Sequence, residues 1–290
     1  MLRWLAPYAV LVMTLATMPI PGISAVPGLR PTPRKALRPA GPAPPVFYVA
    51  HRGASAYAPE NTLAAFREAA RRHAHLFELD VRRTRDGQLV IMHDATLART
   101  TDAERVFPRR APWRIREFTL AEIRRLDAGS WRGRRFRRER VPTLGETLRA
   151  MDGSGLGLLL EVKSPGRDPG IGERVAAELR AHRSWLRSGR LIVQSYDWKF
   201  ARRFHALLPE ARIGLLGTAK ARQLKSLGTY AGYLNSPYRK VTTSYVSRAH
   251  RRHLKVFAWT VDDPAVMRRM IAAGVDGIVT DRPGAMPAAR

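Results

Sequence analysis

From residue 46 onward, short apolar runs recur at 46–50, 77–81, 158–162, 191–193, 213–216, 230–234, 256–259 and 277–279. Stretches with polar residues on one helical face and apolar ones on the other fall between most of them, at 62–73, 120–126, 144–151, 172–182, 199–208, 246–252 and 264–273. Short apolar runs that alternate with amphipathic segments predict βαβ units, and hence a parallel sheet with helices packed on it. Eight such strands suit a closed (β/α)8 barrel better than an open doubly wound sheet, and the 290 residues exceed the ~250 that such a barrel needs. A ninth apolar run, 89–92, is different. Only seven residues separate Val81 from Leu89, whereas a parallel crossover takes about a dozen or more. Asp86-Gly87 between them is a hairpin signal. The strand is therefore expected to run on above the barrel rim, turn there and come back. A turn centred between Asp86 and Gly87 sets His93 opposite residue 80, at the barrel mouth.

Charged residues make up 26% of the chain and hydrophobic ones 45%, the balance of a globular protein. The formal net charge of +27 comes mostly from arginine. Such a field attracts phosphates, nucleic acid or an anionic membrane or cell-wall surface. Its densest run is Arg132, Arg134, Arg135, Arg137, Arg138 and Arg140, which fits either a solvated loop or a polyanion contact. The absence of cysteine excludes disulfides, thiolate zinc sites, a cysteine nucleophile and an N-terminal lipidated cysteine. Arg3, an apolar run over 5–18 and Ser24-Ala25 describe a secretory signal peptide over residues 1–25. The run is shorter than the ~20 residues of a spanning helix. Residues 26–45, rich in proline, read as an extended linker. The expected organisation is thus signal peptide, linker and one domain over 46–290, with a secreted or extracytoplasmic location.

Working groups of such a barrel sit at the C-terminal ends of its strands. There the sequence places His51-Arg52-Gly53, Glu78 and Asp80, His93-Asp94, Glu161 and Lys163, Gln194-Ser195, Trp259-Thr260 and Thr280-Asp281. Residues two apart on a strand share a side, so Glu78 and Asp80 point together, as do Glu161 and Lys163. Buried carboxylates need cationic compensation. Three of them without sulfur ligands suit a hard divalent cation such as Mg²⁺ or Ca²⁺, and an ion-pair network with Lys163 and Arg52 is the alternative. His51 and His93 form a natural proton-transfer pair, because imidazole titrates near pH 6.5. Diester hydrolysis wants one base for the attacking oxygen and one acid for the leaving oxygen. Gly53 is expected to allow a sharp turn after the first strand, Asn61 to cap the following helix, and Trp259 to form core or an apolar wall beside a substrate.

In order along the chain stand His51-Arg52-Gly53, Glu60-Asn61-Thr62, Glu78-Leu79-Asp80-Val81, Asp86-Gly87, His93-Asp94 and Arg99-Thr100-Thr101. They are followed by Asp127-Ala128-Gly129-Ser130-Trp131, Val141-Pro142-Thr143-Leu144, Glu161-Val162-Lys163, Gln194-Ser195-Tyr196, Trp259-Thr260-Val261 and Asp276-Gly277-Ile278-Val279-Thr280-Asp281. This ordered set, over roughly 46–284, resembles the glycerophosphodiester phosphodiesterase family. The resemblance implies a TIM barrel interrupted after the second strand and its hairpin by a small insertion at about 95–145. It also implies a divalent cation on Glu78, Asp80 and Glu161, catalysis by His51 and His93, and phosphate neutralisation by Arg52 and Lys163, and Gln194 and Trp259 are expected to join these two in binding the substrate. The implied substrate is a glycerophosphodiester. The alternative is that the chain is a phospholipase of the same barrel type, acting on lysophospholipid, phosphoinositide or sphingomyelin. A non-catalytic binder of polyanions, nucleic acid included, or of the cell envelope would use the charge but leave three carboxylates and two imidazoles without purpose. His253 departs from the family's usual glycine before the seventh barrel strand, a difference that touches only a turn.

Overall fold

The computed structural model describes residues 46–187 and 189–285. The expected signal peptide at 1–25 and linker at 26–45 lie outside them. Eight parallel strands close into a barrel: β1 (Phe47–Ala50), β2 (Leu76–Arg83), β4 (Gly157–Val162), β5 (Leu191–Ser195), β6 (Arg212–Leu216), β7 (Tyr233–Pro237), β8 (Lys255–Trp259) and β9 (Gly277–Thr280). β3 (Leu89–Ile91) pairs antiparallel with the overhanging end of β2. β1 pairs with both β9 and β2, which closes the ring. The helices are α1 (Leu63–Arg71), α2 (Ala103–Val106), α3 (Leu120–Ile123), α4 (Leu144–Met151), α5 (Ile171–Ala181), α6 (Arg183–Arg187), α7 (Trp198–Leu207), α8 (Leu224–Leu227), α9 (Thr243–His250) and α10 (Pro264–Ala272). Among the described residues no helix is long and apolar enough to cross a membrane.

The period-2 alternation of strands builds two apolar layers from the same segments. Phe77, Leu79 and Val81 of β2, with Leu158, Leu160 and Val162 of β4, face outward onto the helices. Their alternates fill the barrel: Val49, Leu76, Leu159, Ile192, Tyr233, Phe257 and Val279. A third cluster belongs to the insertion, where Leu97, Ile115, Phe118, Ile123, Leu126 and Val141 pack on Val90 and Met92. Local chemistry starts the helices where the pattern predicts. Thr62 caps α1, Thr143 and Glu146 form a capping box on α4, and Asp263 with Pro264 opens α10.

Three expectations shift. β7 begins at Tyr233 rather than residue 230, because Tyr230 and Ala231 still close the turn after α8 onto the Leu227 carbonyl. The hairpin has a three-residue turn, Arg85-Asp86-Gly87, with Gly87 at φ +81° and the Gln88 carbonyl accepting from the Thr84 N–H. Val81 therefore pairs with Ile91 and the Asp80 carbonyl accepts from the Met92 N–H, so the register lies one residue from the expected one. The ladder ends at Met92, and His93 is placed by the chain's departure from it. The arginine run is not simply solvated: Arg132 and Arg135 donate to the carbonyls of Ala56 and Tyr57, and Arg140 to that of Leu126. His253 sits at φ +57°, in the turn that its position predicts.

Gly53 turns the chain after β1 at φ +79°, and a Cβ there would lie 2.6 Å from Ala65 of α1. Gly53→Ala should destabilise the protein by about 2–4 kcal/mol, combining ~1–2 kcal/mol of left-handed strain with the cost of overpacking. Thermal unfolding measures it. An unchanged Tm would mean that this loop is not held against α1.

Candidate active site

At one level of the barrel interior the inward positions stop being apolar. Along β2 the sequence passes from Leu76 to Glu78 and Asp80, along β4 from Leu159 to Glu161, and along β5 from Ile192 to Gln194. β7 passes from Tyr233 to Asn235, while β8 keeps an aromatic side chain, Trp259, after Phe257. His51 and Arg52 follow β1 directly. These side chains, with His93, Lys163 and Tyr196, line one cleft of about 120 Å³ at the C-terminal mouth. All the nine residues singled out from the sequence meet here, with Asp80 buried beneath Arg52 and Lys163.

Ligand oxygens of Glu78, Asp80 and Glu161 lie within 4.8 Å of one another, and all three residues are buried. Both readings of this cluster have a physical basis in the geometry. Lys163 Nζ lies 2.8 Å from Glu161 and 3.4 Å from Asp80, and Arg52 Nε lies 3.6 Å from Asp80. Yet three carboxylates face two cations. Burial and the Asp80 charge push the Glu78 carboxyl up to about 8 and Glu161 up to about 7. Burial acts on Asp80 too, but Lys163 and Arg52 outweigh it and hold that carboxyl below its ordinary range. The two cations thus hold Asp80 ionised, while Glu161, although paired with Lys163, and Glu78 stay under-compensated. An all-oxygen set that is short of positive charge fits a divalent cation such as Mg²⁺ or Ca²⁺.

Each imidazole is held by an aspartate. His51 Nδ1 lies 2.7 Å from Asp281 Oδ1, which also accepts from the Ser55 hydroxyl at 2.8 Å. His93 Nδ1 lies 2.7 Å from Asp94 Oδ1. A carboxylate accepts only, so Nδ1 carries the proton and Nε2 is left for chemistry in both rings. Burial works against the His51 cation, but Asp281 and the Glu78 charge outweigh it and raise its proton affinity. For His93 burial prevails over Asp80 and Asp94, and the affinity falls. The two rings are pushed apart, which an acid–base pair requires.

Behind the cleft runs a chain of charges. Glu60 accepts from Arg52 at 2.9 Å and from Arg99 at 2.8 Å, and Arg99 continues to Asp94 at 2.6 Å. Arg82 donates to the His93 carbonyl at 2.9 and 2.6 Å. Sequence reasoning gave no role to Asp281, Asp94, Glu60, Arg99 or Asn235, although the first two stand beside strand ends. Asn61 is a correction: Thr62 caps the helix, while Asn61, at φ +58°, donates from Nδ2 to Asp80 Oδ2 at 2.8 Å. Asn235 donates to Gln194 Oε1, and its own buried Oδ1 has no partner. Trp259 donates to the Asn235 carbonyl at 2.8 Å and meets Tyr196 edge to face.

The chain matches the Glycerophosphoryl diester phosphodiesterase family over residues 51–285. It is 37% identical to a glycerophosphodiester phosphodiesterase of Caldanaerobacter subterraneus, over 81% of this chain and 93% of that one. It is 32% identical to a glycerophosphodiester phosphodiesterase of Bacillus subtilis, over 82% and 84%. Among solved structures, an Oleispira antarctica phosphodiesterase in complex with the product sn-glycerol-3-phosphate superposes with a TM-score of 0.75 at 31% identity, covering 83% of this chain and 94% of that one.

The raised Glu78 carboxyl has a measurable consequence in protein stripped of divalent cations. The unfolded side chain loses its proton near 4.5, the native one near 8. Unfolding between those values releases a proton, so native stability falls as pH rises through the window. Glu78→Gln should therefore raise Tm by about 2–4 °C or more at pH 8 in chelator and by little at pH 5. Equal shifts at both pH values would contradict a buried, proton-retaining Glu78.

Proposed function

Since the chain belongs to the glycerophosphoryl diester phosphodiesterase family and is a phosphoric diester hydrolase, we propose that it cleaves glycerophosphodiesters with His51 and His93 as the proton-transfer pair. Glu78, Asp80 and Glu161 would hold a divalent cation beside them. The products are a glycerol phosphate and a free alcohol. One observation carries the reading: two aspartate-anchored imidazoles share a small cleft with a buried trio of carboxylates.

A cation bound to that trio supplies positive charge for the non-bridging phosphoryl oxygens. Arg52 and Lys163 add to it from the protein. Buried Arg52 Nε has no hydrogen-bond partner, so a phosphoryl oxygen satisfies a donor that is otherwise costly to leave unmade. One Nε2 takes the proton from the attacking oxygen, which is water or the glycerol 2-hydroxyl, and the other Nε2 returns a proton to the departing alcohol. Asp281 and Asp94 keep the rings in the tautomer that this requires. The amide pair Gln194–Asn235 offers hydrogen bonds to glycerol hydroxyls, and Trp259 with Tyr196 provides an apolar wall.

Hydrolysis of glycerophosphocholine tests this directly. His51→Ala and His93→Ala should each lower turnover at least about a hundredfold without changing Tm; near-normal activity in either variant would sink the pair. EDTA should abolish turnover, with Mg²⁺ or Ca²⁺ restoring it. Full activity in chelator would remove the cation from the acidic trio.

A further inference from the structure

Next to the catalytic cleft lies a second cavity, of about 770 Å³, and Lys163 lines both. The β2–β3 hairpin, the insertion at residues 114–116, the loop that follows β4 and the first turn of α5 form its walls. Eight cationic side chains face it against two carboxylates, Asp86 and Asp168. Both carboxylates are already engaged. Asp168 is paired with Arg83, and Asp86 accepts from the Thr84 hydroxyl at 2.6 Å and the Leu120 N–H at 3.1 Å. Arg82 is committed to the His93 carbonyl. Arg116, Arg167 and Arg174 have no salt bridge within 4.0 Å among the described residues. Mutually repelling guanidinium groups around one open cavity are a site in want of anions.

We propose that this cavity is a second-phosphate subsite: it receives an anionic alcohol half of the diester, one that itself carries a phosphate ester. The inference rests on the function proposed above and names the substrate class of that same site. Position supports it. The catalytic cleft, at about 120 Å³, accommodates little beyond glycerol and the scissile phosphate. Glycerol against Trp259 lies on the β8 side, so the other arm of the diester leaves past Lys163, on the β2–β4 side where the arginine cavity opens. A phosphate there meets Arg116 of the insertion and Arg167 of the loop after β4, and a cationic alcohol such as choline meets repulsion.

The test compares glycerophosphoglycerol with the same diester bearing a terminal phosphate on the leaving glycerol. Wild-type kcat/KM should favour the phosphorylated substrate by about tenfold or more, as two charge-assisted contacts warrant, and added 0.5 M NaCl should erase most of that preference, as a screened exposed interaction must. The double variant Arg116→Ala/Arg167→Ala should lose about tenfold on the phosphorylated substrate, through KM, while glycerophosphoglycerol is unaffected. Equal rates on both substrates in wild type and variant, or an equal loss on both, would overturn the subsite. Absence of hydrolysis with either substrate would instead overturn the function proposed above. Titration calorimetry with glycerol 1,3-bisphosphate then still judges the subsite: about tenfold weaker binding to the double variant supports it, and equal affinity refutes it.

Discussion

Three buried carboxylates whose oxygens approach within 4.8 Å cannot all be ionised in a protein interior unless positive charge is brought to them. Most of the site follows from that constraint. The apolar barrel layer beneath, from Val49 round to Val279, keeps water out from below and is the source of the desolvation. Lys163 and Arg52 are drawn in from the rim, and Asn61 gives Asp80 a neutral donor. What the protein's own cations leave uncompensated falls on Glu78 and Glu161, the two groups whose proton affinities rise. A site wired in this way retains protons until a stronger cation displaces them, which couples ion binding to pH.

The cations in turn need holding, and the structure does this with a relay of alternating charge. Arg52 is gripped by Glu60, Glu60 by Arg99, and Arg99 by Asp94, which orients His93. Burial opposes the Glu60 and Asp94 anions, yet their arginine partners outweigh it, and Asp94 sits at about 2. Each member therefore stays ionised through the working pH range. The relay spans the β1–α1 loop and the start of the insertion, so two segments far apart in sequence fix the distance between the Arg52 guanidinium and the His93 imidazole. His51 draws its support from another direction, through Asp281 beyond β9 and Ser55.

The barrel strands and the inward aim of two residue pairs were legible because simple periodicities carry them. Apolar runs mark the strands, and residues two apart share a face, so Glu78 with Asp80 and Glu161 with Lys163 could be aimed inward before any coordinates. What escaped lacks such a signal. Asn235 follows an apolar run as if the strand had ended at Leu234, yet β7 continues to Pro237 and turns that amide into the cleft. Asn61 carries the type and position of a helix cap; only its left-handed backbone and the proximity of Asp80 give it another partner. The hairpin register slipped by one because a three-residue turn with Gly87 in the left-handed region and a two-residue turn share the dipeptide Asp-Gly. The arginine run does lie at the surface, but charge says nothing of which carbonyls it meets there.

The slip in register also shows where the fold leaves room for change. Had the ladder run on regularly, His93 would have followed the alternation of Leu89 and Ile91, which pack outward with the helices. Instead pairing stops at Met92, whose side chain joins the insertion's own core, and the Arg82 guanidinium catches the His93 carbonyl as the strand ends. Eight of the nine residues stand on or directly beyond barrel strands, where the closed sheet fixes them. His93 is the one that depends on the hairpin, the insertion core and the Asp94–Arg99 pair together. The same hairpin presents Arg82, Arg83 and Arg85 to the large cavity beside the cleft. Placement of the His93 imidazole and the electrostatics of the neighbouring surface are thus governed by one hairpin excursion from the barrel, so a change in its turn length would alter both at once while leaving the acidic trio intact.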